Sequence, residues 1–195
     1  GGETVVLTDA SSEVLDQVET VELSANEAMA KTEDGWTVLS YATPGYENTE
    51  EGYEAYLATQ ASESAAVYIT EVMARNGATL PDEDGDFSDW IELTNQGDTA
   101  ADLGGWYLSD DEGEPTKWKL PSLTLEAGES IVIFASGKDR SDGELHTNFS
   151  LATGETVCLT TPAGTIRSEV SVGTAVMDQS VALQSSGSYE ETAWA

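Results

Sequence analysis

A seven-residue segment at the start of the chain returns near its end, and this duplication constrains the fold more than any other feature. Gly2-Glu3-Thr4-Val5-Val6-Leu7-Thr8 recurs as Gly154-Glu155-Thr156-Val157-Cys158-Leu159-Thr160, displaced by 152 residues. The spacing holds further on: Val14 and Val18 fall on Ile166 and Val170, and Gly35 falls on Gly187. After a one-residue insertion, Trp36 aligns with Tyr189, Tyr41 with Trp194 and Ala42 with Ala195. Self-similarity at a fixed displacement marks serially repeated units. The expectation is therefore one complete unit preceded by the tail of another. Residues 1–42 read as the C-terminal fragment of a preceding repeat, 43–65 as a linker, and 66–195 as the whole domain. Residues 1–42 and 154–195 should then fit the same slot in one core.

In the linker, Pro44-Gly45 is a turn signal. Asn48 can cap a helix whose first turn carries Glu50 and Glu51, charges that complement the helix dipole. Tyr53, Tyr56 and Leu57 share one face, so a short helix is predicted over 49–59, with a polar connection over 60–65. From Ala66 the pattern turns to short strands. Val67–Val72 is one, and in the next, 89–94, Ile91 and Leu93 face one side and Trp90 and Glu92 the other. Further strands are predicted near 100–108, 117–119, 130–135, 155–160, 165–170 and 179–183, with Phe149 and Leu151 pointing the same way on another. Many short strands with turns between them read as an all-β antiparallel sandwich.

The ordered series Val67-Tyr68-Ile69-Thr70-Glu71-Val72-Met73, Asp89-Trp90-Ile91-Glu92-Leu93-Thr94-Asn95 and Leu103-Gly104-Gly105-Trp106-Tyr107-Leu108-Ser109-Asp110 carries a family resemblance. It continues through Trp118-Lys119-Leu120-Pro121, Leu125-Glu126-Ala127-Gly128-Glu129, His146-Thr147-Asn148-Phe149-Ser150-Leu151 and Gly154-Glu155-Thr156-Val157. This series resembles the lamin tail domain family, most of all its bacterial, secreted branch, from about Ala66 to Ala195. The resemblance implies an immunoglobulin-like β-sandwich with an interaction or scaffolding role and no catalysis. It further implies an extracellular or cell-surface location, sometimes in tandem before kinase-like domains of the spore-coat-protein-H type.

Charge narrows the partners. The 195 residues carry 7 Lys+Arg against 37 Asp+Glu, a formal net charge of −30. Nucleic-acid binding needs clustered cations that are absent here, and any chromatin contact of nuclear relatives does not carry over. Anionic membrane surfaces are disfavoured on the same ground, and no apolar run approaches the ~18 residues of a membrane-spanning helix. The single Cys excludes an internal disulfide. Cys158 stands where the other copy has Val6, as a small buried hydrophobe would. No nucleophile, base and electrophile converge, so no catalytic residue is assigned and no cofactor is expected apart from calcium.

The calcium candidate is the acidic stretch Pro81–Asp89. Asp82, Asp84 and Asp86 alternate around Gly85, and hard carboxylate oxygens at this spacing can converge on Ca²⁺. The EF-hand pattern fails, because Phe87 takes the glycine position and Leu93 the bidentate glutamate position. A calcium loop and a plain solvated loop both remain open. Asp110-Asp111-Glu112-Gly113-Glu114 is a second acidic turn, and the lone His146 reads as a capping or packing residue. Trp36, Trp118 and Trp194 are expected near sheet edges, buried.

Three functions from different classes fit. The first is an interaction or scaffolding bead of a larger secreted or surface protein, with neighbouring repeats as its partners. The second is a carbohydrate-binding or adhesion module, calcium-assisted or built on exposed aromatics, which a glycan screen separates from the first. The third is an accessory domain of an enzyme encoded outside this fragment. The apolar residues Val5, Leu7, Val14 and Val18 predict that residues 1–42 order by joining an existing sheet, with a strand-exchanged homo-oligomer as one route.

Overall fold

The computed structural model describes residues 2–25 and 27–192, and the chain forms two compact units, Gly1–Gln60 and Ala61–Ala195. In the first unit, β1 (Thr4–Thr8) pairs with β2 (Val14–Glu19), and β3 (Ala28–Thr32) with β4 (Gly35–Leu39), each pair a two-stranded antiparallel sheet. Neither hairpin joins a larger sheet, contrary to the expectation from its apolar content. Each strand finds its partner across a short turn, where loop closure costs least, and among the described residues the outer edges have no strand neighbours.

Helix α1 (Glu50–Ser64) starts in the first unit and ends in the second. It is longer than the 49–59 predicted and takes up most of the polar connection, since neither Gly nor Pro interrupts residues 53–64. Its cap is Thr49 rather than Asn48. The Thr49 Oγ1 accepts the Gly52 N–H at 3.1 Å, the bond expected of an N-cap side chain. Asn48 instead accepts from the Thr43 hydroxyl at 2.7 Å and donates to the Lys31 carbonyl at 3.0 Å. Tyr53 stacks on Tyr41, with ring centroids 4.7 Å apart, while Leu57 is exposed.

The second unit continues with β5 (Val67–Met73), β6 (Asp89–Asn95), β7 (Ala101–Asp102), β8 (Tyr107–Ser109), β9 (Trp118–Lys119), β10 (Thr124–Leu125), β11 (Ser130–Ala135), β12 (Leu145–His146), β13 (Thr156–Thr160), β14 (Ile166–Ser171), β15 (Val181–Leu183) and β16 (Tyr189–Glu191). A six-stranded sheet, β12-β11-β6-β5-β15-β16, faces a four-stranded sheet, β14-β13-β8-β9, with the β10-β7 pair alongside. Every pairing is antiparallel except β11 with β12. The core between the sheets holds Ile69, Ile91, Leu93, Trp106, Leu108, Trp118, Ile133, Val157, Leu159 and Val170. Alternation works as expected in β6: Ile91 and Leu93 enter this core, and Trp90 turns to the opposite face with Met73 and Phe134. Phe149 and Leu151 are core residues, but they sit on an irregular segment tied by a single bridge, Ser136 to Ser150, rather than on a strand. Trp106 is fully buried, and its indole N–H donates to the Ser62 hydroxyl at 2.6 Å. Gly105, at φ +85°, turns the chain into β8 in a conformation that side chains with a Cβ rarely adopt.

The duplicated segments adopt the same backbone pairing. In β1–β2, Thr4 faces Glu19, Val5 faces Val18 and Leu7 faces Asp16, with Leu15 bulged before Val14 pairs Thr8. In β13–β14, Thr156 faces Ser171, Val157 faces Val170 and Leu159 faces Ser168, with Arg167 bulged before Ile166 pairs Thr160. The turns match as well. Asp9 N–H bonds to Glu13 O and Ser12 N–H to Asp9 O, as Thr161 N–H does to Thr165 O and Gly164 N–H to Thr161 O. Ser12 and Gly164 share a left-handed backbone, at φ 67° and 85°. The second pair of hairpins agrees too: Met29–Val38, Ala30–Thr37 and Lys31–Trp36 correspond to Val181–Glu191, Ala182–Glu190 and Leu183–Tyr189. Burial is what separates the copies. Val157 and Leu159 are wholly buried, whereas Val5 and Leu7 are 58% and 61% exposed. Trp194 and Ala195, the end of the sequence repeat, lie outside the described residues.

Candidate functional site

The acidic loop between β5 and β6 is organised around one buried carboxylate. Asp82 is buried. Its Oδ1 accepts the backbone N–H groups of Asp84 at 3.1 Å and Asp86 at 3.0 Å. Its Oδ2 accepts from the Ser88 hydroxyl at 2.9 Å and the Lys138 ammonium at 2.6 Å. Gly85 takes φ +82° to close the turn, and Asp82 N–H bonds to Asp86 O at 2.8 Å. The side chain thus acts as the hub of its own loop, a common use of Asp in tight turns.

The structure brings the three predicted ligands together: carboxylate oxygens of Asp82, Asp84 and Asp86 lie within 4.8 Å of one another. Among them sits the Lys138 Nζ, at 2.6, 2.8 and 3.0 Å from the three. Arg140 flanks the cluster, 2.8 Å from Asp84 and 3.1 Å from Glu83. Burial pushes the Asp82 carboxyl up, but hydrogen bonds from Lys138, Ser88 and two backbone N–H groups outweigh it and hold it well below the usual carboxylate range. The hydrogen bond from Lys138 also lowers Asp84, and bonds to Asp82 and Asp84 raise the Lys138 ammonium.

A lysine ammonium therefore takes the position that a divalent cation would share with these oxygens. Sequence reasoning missed Lys138 and Arg140, which lie 56 residues from Asp82 and 57 from Glu83. Their signal was the concentration of two of only seven cations at alternate positions, 138 and 140. With Lys138 in place, melting curves recorded in calcium and in chelator should superimpose. A melting temperature that falls by several degrees on chelation would instead require calcium to displace the amine.

The other candidates lie in varied surroundings. In the second acidic turn, Lys117 Nζ lies 2.6 Å from Asp110. His146 is fully buried and stacks on Phe134 with centroids 5.3 Å apart. Its Nδ1 is 2.8 Å from the Ser136 hydroxyl, and its Nε2 has no hydrogen-bond partner among the described residues. Cys158 is buried, and burial, reinforced by the charges of Glu169, Glu112 and Asp111, pushes its thiol up to about 11. Such a thiol is not a thiolate nucleophile near neutral pH. Trp118 is buried and donates to Asp139 at 3.1 Å, but Trp36 is 42% exposed, contrary to expectation. Trp194 lies outside the described residues. No helix among the described residues is long and apolar enough to cross a membrane.

Comparison with known proteins agrees with this architecture. No curated protein sequence matches the chain significantly. The family model of the Lamin Tail Domain, an immunoglobulin-like β-sandwich, matches residues 60–174, a span that takes in the β5–β6 loop, the four-stranded sheet and the six-stranded sheet without β15 and β16. Because that match covers more than half of the sequence, the chain belongs to the lamin tail domain family.

Proposed function

We propose that this chain is a non-catalytic scaffolding segment of a larger secreted or cell-surface bacterial protein, built from serially repeated lamin-tail beads. In this reading residues 66–195 are one bead, 43–65 the linker, and 1–42 the closing part of a preceding bead. Neighbouring repeats are the partners, and exchange of residues 1–42 between molecules offers a route to homo-oligomers. The carrying observation is the shared pairing of the two segments, which agree in register, bulge position and left-handed turn residue. Chance similarity of two acidic stretches does not account for agreement at all three levels.

Charge fits the same role, since a net −30 keeps adjacent beads soluble and mutually repelling. The aromatic platform needed by the carbohydrate-binding alternative rests on Trp36 alone among the described tryptophans, because Trp90, Trp106 and Trp118 are all buried. An accessory position beside a kinase-like domain remains compatible with the scaffolding reading. Sequencing of the parent gene tests it. A strand resembling Asp89-Trp90-Ile91-Glu92-Leu93 should be encoded about 152 residues before Asp89, the displacement of the internal repeat. An upstream region without such a strand would refute the serial arrangement.

A further inference from the structure

The first unit contains an apolar cleft of about 200 Å³ lined by Val5, Leu7, Asp16, Gln17, Val18 and Trp36. The 152-residue correspondence, with its one-residue insertion, maps this lining onto Val157, Leu159, Ser168, Glu169, Val170 and Tyr189. In the second unit, four of those residues belong to or pack against the core that holds Ile69. Val157, Leu159 and Val170 share one core with Ile69 of β5, and Tyr189 packs against that core. Ile69 is also gripped by its backbone: its N–H donates to the Ser168 hydroxyl at 3.3 Å, and its carbonyl accepts from the Tyr189 hydroxyl at 2.7 Å.

We infer that the cleft between the β1–β2 hairpin and Trp36 is the seat of a β5-type strand, an extended Val-x-Ile segment contributed by the front half of another lamin-tail bead. This rests on the serial-bead reading and names the partner of residues 1–42. The polar residues differ from the Ser168–Tyr189 pair. At the Ser168 position stands Asp16, whose carboxylate already accepts from Lys31 at 2.7 Å and from the Gln17 N–H at 2.9 Å and keeps further lone pairs for a strand's N–H; at the Tyr189 position stands Trp36, whose indole carries one N–H donor. β15 ladders with β5 through Val181–Val72 and Ala182–Glu71, and their counterparts Met29 and Ala30 lie on β3, whose strand neighbour among the described residues is β4 and whose Lys31 carbonyl is held by Asn48. Addition of a strand to an unpaired edge, with side-chain pockets fixing the register, is a general mode of peptide capture. An intact second copy does not fit this role, because its own β5 is already held between β6 and β15.

The test uses the full chain and a fluorescein-labelled synthetic peptide spanning residues 65–74. Fluorescence anisotropy should rise saturably as the chain is added. Leu7→Asp and Trp36→Ala should each weaken binding about tenfold or more, since each removes apolar burial from the cleft. Trp36→Tyr, which restores the residue type at position 189, should stay within about threefold of the parent, and a peptide carrying Ile69→Asp should not bind. Absence of saturable binding, or equal affinity for the parent chain and both weakening variants, overturns the seat. Self-association of the chain in sedimentation that excludes the peptide assigns the face to a second copy and overturns it as well. None of these results alters what the upstream gene encodes, so failure of the seat is distinguishable from failure of the serial-bead reading.

Discussion

Leu159→Asp should unfold the unit Ala61–Ala195, whereas the equivalent substitution Leu7→Asp should leave that unit's stability unchanged within about 0.5 kcal/mol. The two variants have the same composition and net charge, and the altered residues occupy the same place in hairpins of the same register. Leu159 is wholly buried, while Leu7 is 61% exposed. Substitution at 159 removes a core side chain, at about 2–5 kcal/mol by analogy with large-to-small changes, and places a carboxylate in an apolar core, at several kcal/mol more. A domain of this size has a total stability of about 5–15 kcal/mol. The Leu159→Asp chain should therefore lose its near-ultraviolet circular dichroism and its cooperative urea transition, and Leu7→Asp should retain both. Equal damage from the two substitutions would mean that the hairpins have the same surroundings, contrary to the burial described above.

That contrast also marks what the sequence could convey. Pairing register was legible because it is local. Thr4–Thr8 and Thr156–Thr160 carry similar residues in the same order, and a bulge followed by a left-handed turn residue reproduces itself wherever that local chemistry recurs. Burial was not legible, because it depends on what lies across from a strand, and the same apolar ladder faces a core in one copy and solvent in the other. Trp36 shows the same effect: its counterpart Tyr189 packs against a core that includes Ile69, whereas Trp36 is 42% exposed. The helix ran past its predicted end because nothing in Ala58–Ser64 stops it, and composition alone does not reveal that the last turn is wanted by Trp106. At the acidic loop, alternation of Asp82, Asp84 and Asp86 correctly implied convergence. The cation at their centre was hidden, because Lys138 arrives through the pairing of β6 with β11, a contact between distant segments.

Asp82→Ala should lower the stability of the second unit by about 3 kcal/mol, which corresponds to about 10 °C in melting temperature for a domain of this size. The buried carboxylate accepts four hydrogen bonds, one of them from Lys138, and its loss strands two backbone N–H groups and the Ser88 hydroxyl. Lys138 keeps Asp84 and Asp86, so the amine itself is not orphaned. The effect carries a pH signature. The Asp82 carboxyl is held below the usual carboxylate range in the folded chain, so its contribution is fully present above the unfolded value of about 3.9 and fades as pH falls below it. The parent and Asp82→Ala melting temperatures should therefore differ equally at pH 7 and pH 5 and converge toward pH 3. Asp89 works in the opposite sense: burial raises its carboxyl, so its ionised form costs stability at neutral pH, and that cost is relieved as it gains a proton. Because Asp89 is present in both chains, its contribution cancels in the difference, and the convergence isolates Asp82. A gap that stays constant down to pH 3 would show that Asp82 acts through loop shape alone and not through its charge.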